Sequence, residues 1–254
     1  MKKTLSIAGM VCFAAVVFGA DLAGDGMTTS SDRMLLQKLS EIKALPVETR
    51  GTVLIIGDSM MRLLATEIEK EFAKLPNVSA MSFSSLGSGL ARQDSFDWPM
   101  KLSALTLEKK PAVVIVSLGA NDRQALSSAT GEKFLPETRE WNAEYAVRLG
   151  QIMDLLIKGG VKHVVWLQLP DMKSEQNQRH AIEVNRLVAE EAAKRPQVVL
   201  FETAPVLARK PGRFVSYVMG GDGAVITVRD SDGIHLSSNG AKRLAQAIVL
   251  TYWK

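Results

Sequence analysis

Three short polar blocks stand out in the 254-residue chain: Gly57-Asp58-Ser59, Gly119-Ala120-Asn121-Asp122 and Asp232-Gly233-Ile234-His235. A serine hydroxyl is a weak nucleophile until a neighbouring base removes its proton. Three histidines could supply that base. His163 opens the run HVVWLQL and so falls at the amino end of an expected strand, away from any ligand crevice. His180 lies among charged neighbours in EQNQRHAIEVNRLV, where it is expected to be solvated. His235 sits in the polar loop DSDGIHLSSNG, with Asp232 three residues ahead of it. A turn of that length can set the carboxylate against one imidazole nitrogen and leave the other facing the sheet, the orienting arrangement of a Ser-His-Asp site. The same loop also reads as a plain turn at Asp232-Gly233, with His235 at a helix entry. Asn121 adds a side-chain NH₂ of the kind that stabilises a developing oxyanion.

Elements must bring these blocks together. Short apolar runs occur at Thr52–Ile56, Val78–Phe83, Ala112–Leu118, His163–Leu169 and Val198–Phe201. Amphipathic stretches separate them at residues 60–74, 95–108, 137–158 and 176–194. Apolar runs bounded by turn residues describe strands buried on both faces. Their alternation with helices predicts an α/β fold: a three-layer α/β/α sandwich around a mainly parallel sheet of about five strands. Ligands in such sheets bind beyond the carboxyl ends of the strands. Ser59, the segment 84–89, Asn121, Pro170-Asp171 and Thr203 fall there. Residues 211–233 read as a hairpin or structured excursion around Gly220-Gly221-Asp222-Gly223. A last helix is expected from Ser237 or Ser238 to about Tyr252.

The first twenty residues read as a signal peptide. Met1-Lys2-Lys3 is a charged start, Leu5–Phe18 an apolar core too short to span a bilayer comfortably, and Gly19-Ala20 a small-residue exit. An uncleaved anchor is the alternative. Residues 21–50 form a linker and a helix over 32–45, and residues 51–254 form one domain. Cys12 is the single cysteine and lies in the leader, so the exported chain is expected to lack disulfides, thiol catalysis and Cys-bound zinc. The formal charge of +4 falls to about +2 without Lys2 and Lys3, too little to argue for nucleic acid. A 46% hydrophobic content supports a large core.

Taken in order, GDS (57–59), a glycine near residue 89, GAND (119–122) and DGIH (232–235) resemble the SGNH hydrolase superfamily, the GDSL-type esterases. The resemblance runs from about residue 52 to 252. GANDRQ and FDWP look like an exported bacterial subgroup. The resemblance implies Ser59 as nucleophile, His235 as general base and Asp232 as its orienting partner. It implies an oxyanion hole from the backbone N–H of Ser59, that of Gly89 and the side-chain amide of Asn121. Gly89 is preferred to Gly87 because Gly89-Leu90-Ala91-Arg92 better fits the family's glycine and helix start. Met60 replaces the usual leucine, a volume-conserving change. The chain also lacks the G-x-S-x-G elbow of α/β-hydrolases.

The implied activity is an exported serine esterase removing a small acyl group, acetyl foremost, from an envelope carbohydrate. Lysophospholipase, thioesterase or O-acetyltransferase chemistry would use the same triad, and a non-catalytic glycan-binding or assembly protein could share the scaffold. Asp58 is expected to cap a helix and Asp122 to hold its loop. Arg123 and Trp98 are possible substrate contacts, with loop support and local packing as their alternatives. No cofactor and no metal are expected. The expected partner is an acylated small molecule or glycan, with no nucleic acid and no membrane contact except through an uncleaved leader.

Overall fold

The computed structural model describes Gln37 and residues 51–253, except 129, 209–211 and 221–222. The expected leader, the linker and the helix over 32–45 lie outside the described residues, apart from Gln37. The chain runs β1 (Gly51–Gly57), α1 (Ser59–Phe72), β2 (Val78–Ser84), α2 (Trp98–Lys109), β3 (Val113–Ser117), β4 (Leu126–Ser127) and β5 (Lys133–Phe134). It continues through α3 (Arg139–Lys158), β6 (His163–Leu167), α4 (Glu175–Ala192), β7 (Val198–Phe201), α5 (Ala204–Leu207), β8 (Tyr217–Met219), β9 (Val225–Thr227) and α6 (Ser238–Tyr252).

Five strands form one parallel sheet in the order β2-β1-β3-β6-β7. Their side chains alternate between two cores, as the two-residue period of a strand requires. Val53 and Ile55 of β1 pack with Met61, Leu64 and Ile68 of α1 and with Leu244 and Ile248 of α6. Leu54 and Ile56 face the other way, into a core built with Trp98 and Leu102 of α2, Tyr145 and Leu149 of α3, and Val184 of α4. The result is the expected three-layer sandwich. Side chains of Asp58, Asp97, Thr138, Ser174 and Ser237 cap the five long helices.

The excursion after β7 contains the antiparallel pair β8–β9. The pair β4–β5 is a further hairpin, with strands of two residues each. Such strands are too short for alternation to mark them. From β1 the chain moves outward to β2, then returns to place β3 on the other side of β1. A crevice therefore opens between the carboxyl ends of β1 and β3. Ser59 follows the first strand and Asn121 the second.

Candidate active site

The end of β1 is built around close approach. A Cβ on Gly57 would lie 2.3 Å from the Ser117 carbonyl oxygen and 2.7 Å from Met61 Cβ. Glycine thus lets β1, β3 and the start of α1 meet. Asp58 is the N-cap of α1, and its Oδ1 accepts from the Met60 amide at 2.9 Å. Its side chain is fully buried, and Oδ2 has no hydrogen-bond partner among the described residues. Burial pushes the Asp58 pKa up to about 7; the Met60 amide opposes this, the nearby Asp122 charge reinforces it, and the Ala120 and Gly119 amides oppose it. Ser59 then begins the helix, where backbone N–H groups and the helix dipole favour negative charge.

His235 Nε2 lies 2.8 Å from Ser59 Oγ, and its Nδ1 lies 2.5 Å from Asp232 Oδ2. A neutral imidazole donating from Nδ1 presents Nε2 as an acceptor to the serine hydroxyl. Asp232 Oδ1 accepts from the amides of Ile234 at 2.8 Å and His235 at 3.0 Å. Burial alone would raise the Asp232 pKa. The bonds from the His235 ring and from these two amides outweigh it and hold the carboxyl near 2. A cavity of about 250 Å³ opens beside this pair, lined by Met60, Arg62, Leu63 and Leu86.

The loop carrying His235 is held by a buried cation that the sequence reading missed. Arg229 donates to the carbonyl oxygens of Ile234 at 2.7 Å and Asp171 at 2.5 Å. Burial draws the Arg229 pKa down to about 10, which leaves it charged at neutral pH. Gly233, at φ +73°, crosses so near Lys173 that a Cβ would meet the lysine's own Cβ at 2.3 Å.

On the other side of Ser59 lie the loops after β2 and β3. Asn121 Nδ2 donates to the Ser88 carbonyl at 3.0 Å, and its second N–H has no partner among the described residues. Asp122 is buried and accepts from the Leu90 amide at 3.0 Å, the Ala91 amide at 2.7 Å and the Tyr145 hydroxyl at 2.7 Å. Burial and the Asp122 charge raise the Tyr145 pKa, so this hydroxyl stays a donor. Arg148, also buried, clamps the same segment through its carbonyls, donating to Leu90 at 2.8 Å and Ala91 at 3.1 Å. Arg148 too was missed, although it falls on the apolar stripe of α3 beside Tyr145, Leu149 and Ile152.

Two expectations need correction. Trp98 does not line the cleft: it is fully buried, its indole Nε1 donates to Ser88 Oγ at 3.1 Å, and its ring packs edge-on against Phe83 and Phe96. It supports the loop after β2 from behind. His180 is not solvated. It is 6% exposed, its Nε2 lies 2.9 Å from the Gly119 carbonyl oxygen, and burial lowers its pKa. Arg123 is half-buried on the loop after β3, close enough to His180 for its charge to act there.

The sequence matches, over residues 52–251, the family model described as "Protein of unknown function (DUF459)". A search of curated proteins finds no match. Among solved structures, a carbohydrate esterase family 3 protein from Talaromyces cellulolyticus aligns with a TM-score of 0.50 at 15% identity, covering 78% of this chain and 93% of its own. That is a likeness of fold. A family two carbohydrate esterase from Clostridium thermocellum in complex with cellohexaose aligns at 16% identity and TM-score 0.49, covering 81% of this chain and 63% of its own. The C-terminal catalytic domain of Streptococcus pneumoniae peptidoglycan O-acetyltransferase A aligns at 15% identity and TM-score 0.45, covering 79% and 91%. The family match spans nearly the whole α/β domain, and the protein belongs to the DUF459 family.

Proposed function

We propose that this protein is an exported serine esterase that removes a small acyl group, acetyl foremost, from an envelope carbohydrate. The observation that carries the reading is the hydrogen-bonded chain from Asp232 through His235 to Ser59, at the crevice between β1 and β3. As Ser59 Oγ attacks the ester carbonyl, His235 Nε2 takes its proton and Asp232 stabilises the imidazolium. The intermediate's oxyanion is met by the N–H groups of Ser59 and Gly89 and by the Asn121 amide. Collapse breaks the bond to the sugar oxygen, which takes the proton from His235, and leaves the acyl group on Ser59. Water, deprotonated by His235, then releases the acid.

Gly89 suits this role better than Gly87. Gly89 is buried and its N–H has no partner among the described residues, whereas Gly87 is exposed. A buried orphan donor is rare unless something else uses it. The 250 Å³ cavity beside Ser59 has ample room for an acetyl group. The carbohydrate part draws on the name of the Talaromyces esterase, and export on the leader-like first twenty residues.

The test is acetyl release by residues 21–254 from p-nitrophenyl acetate and from acetylated glycans, beside Ser59→Ala and His235→Ala. Activity should fall by roughly three orders of magnitude or more in either variant. Equal rates for wild type and Ser59→Ala across a broad ester panel would sink the reading.

A further inference from the structure

A second cavity, of about 540 Å³, opens along the same edge of the sheet. That volume lies within the ~300–1,000 Å³ typical of small-molecule sites. It adjoins the candidate active site through two short stretches of chain. Ala91 and Arg92 in its wall follow Gly89 with one residue, Leu90, between. Gln124 in its opposite wall donates from Nε2 to the Asn121 carbonyl at 2.8 Å. The loops that present Gly89 and Asn121 to Ser59 therefore continue into this cavity.

Seven of its nine lining residues are polar or charged, the carboxylate of Asp94 among them. Gln93, Gln124 and Ser127 offer amide and hydroxyl groups. The cations are not equally available. Arg148 forms a buried floor and is committed to the carbonyls of Leu90, Ala91 and Ser127 and to the Glu144 carboxylate. Arg92 is bound by Asp94 through two bonds of 2.8 and 2.7 Å. Lys133, on β5, is exposed and has no carboxylate partner among the described residues. One uncompensated positive charge therefore stands beside a set of hydrogen-bonding side chains.

The geometry points to a subsite for an acidic saccharide segment. Its carboxylate would face Lys133 and its hydroxyls would face Gln93 and Gln124, while a neighbouring acylated unit of the same chain reaches Ser59. As a substrate subsite it rests on the esterase reading, and it narrows the carbohydrate to one that carries carboxylates.

The test separates binding from catalysis. Ser59→Ala protein is titrated calorimetrically with a de-esterified uronic-acid oligosaccharide and with a neutral oligosaccharide of equal length. The acidic one should bind tighter by roughly two- to fivefold, the scale of one charge pair at an exposed site. Adding Lys133→Gln should erase the preference, and Gln93→Ala should weaken both ligands. The circular dichroism spectrum and urea-unfolding midpoint of Lys133→Gln should match those of its parent, a control that its fold is intact. Equal binding of the two oligosaccharides, no binding of either, or a preference that survives Lys133→Gln would each overturn the subsite. If no ester is hydrolysed but the Lys133-dependent preference remains, the esterase reading falls and the cavity stands as an acidic-glycan site.

Discussion

Asp122 closes on Gly89 so tightly that a Cβ on the glycine would lie 2.0 Å from Asp122 Oδ1. The glycine is required by this approach, since its φ is not among the positive values. Gly89→Ala must push the loop or the carboxylate aside, breaking bonds to Leu90, Ala91 or Tyr145. Overpacking of this kind costs about 1–3 kcal/mol. Displacing one oxyanion donor costs about 100-fold or more in kcat. Urea unfolding and p-nitrophenyl acetate kinetics on the one variant check both, and an unchanged kcat would rule out Gly89 as an oxyanion donor.

Asn121→Ala should lower kcat by about 100- to 1,000-fold, the usual effect of losing one side-chain donor to an oxyanion. The amide also ties its loop to Ser88, so a modest loss of stability should accompany it. Asn121→Asp keeps the size but puts an acceptor where the donor stood. If the lost Ser88 tie were the whole effect, a stabilising co-solvent would restore activity to the alanine variant. Oxyanion chemistry predicts that it will not.

Asp232→Asn tests the orienting bond. With an amide facing His235 Nδ1, the tautomer that leaves Nε2 as an acceptor loses its partner. If the triad operates, a drop in kcat of about 10⁴ is expected, the loss known for this change in Ser-His-Asp enzymes. Both backbone bonds to Oδ1 can survive in asparagine, so the circular dichroism spectrum should not change. Wild-type turnover in this variant would mean that Asp232 only shapes the turn.

Much of this arrangement was written in residue types. Five apolar runs ending in small or polar residues were enough to place the strands, because burial on both faces leaves no other composition. The supports were harder to read because their partners are backbone groups from distant segments. Arg148 binds carbonyls of Leu90, Ala91 and Ser127, and a carbonyl has no residue type. A cation in the apolar stripe of α3 was still a visible sign that something needed it. His180 carried a similar sign. It precedes Val184 by one helical turn and shares a buried face with Leu187 and Val188. Its charged sequence neighbours pointed the wrong way because adjacent helical residues do not share a face. For Trp98 the sequence left substrate contact and local packing both open, and only tertiary structure reveals the pocket formed with Phe83 and Phe96.

Arg148→Met should destabilise the fold by about 3 kcal/mol or more. It strips three carbonyl oxygens of their donor and leaves Glu144 without its cation. Arg148→Lys keeps the charge but cannot span all three carbonyls, so it should recover only part of the loss. Urea unfolding of both variants gives the order wild type, lysine, methionine. A methionine variant as stable as wild type would show that the clamp contributes nothing.

Asp58 predicts a pH dependence of stability whose sign can be worked out. Its pKa rises from the ordinary 3.8 to about 7 on folding. Between roughly pH 4 and 7 the native state therefore holds a proton that the unfolded chain has released. Stability contributed by this group is full below pH 4, falls as pH rises through that window, and levels off above 7. A shift of this size corresponds to a loss on the order of a few kcal/mol. Asp58→Asn is neutral throughout and can still accept from the Met60 amide. His180 titrates in the opposite sense, since its depressed pKa makes stability rise with pH up to about 6.5. The difference between variant and wild type cancels that contribution. Asp232, with its carboxyl held near 2, acts mainly below pH 4. Urea unfolding at pH 4.5, 5.5, 6.5 and 7.5 should show Asp58→Asn gaining steadily on wild type as pH rises. Parallel profiles would mean that Asp58 is already ionised in the folded protein at pH 4.5.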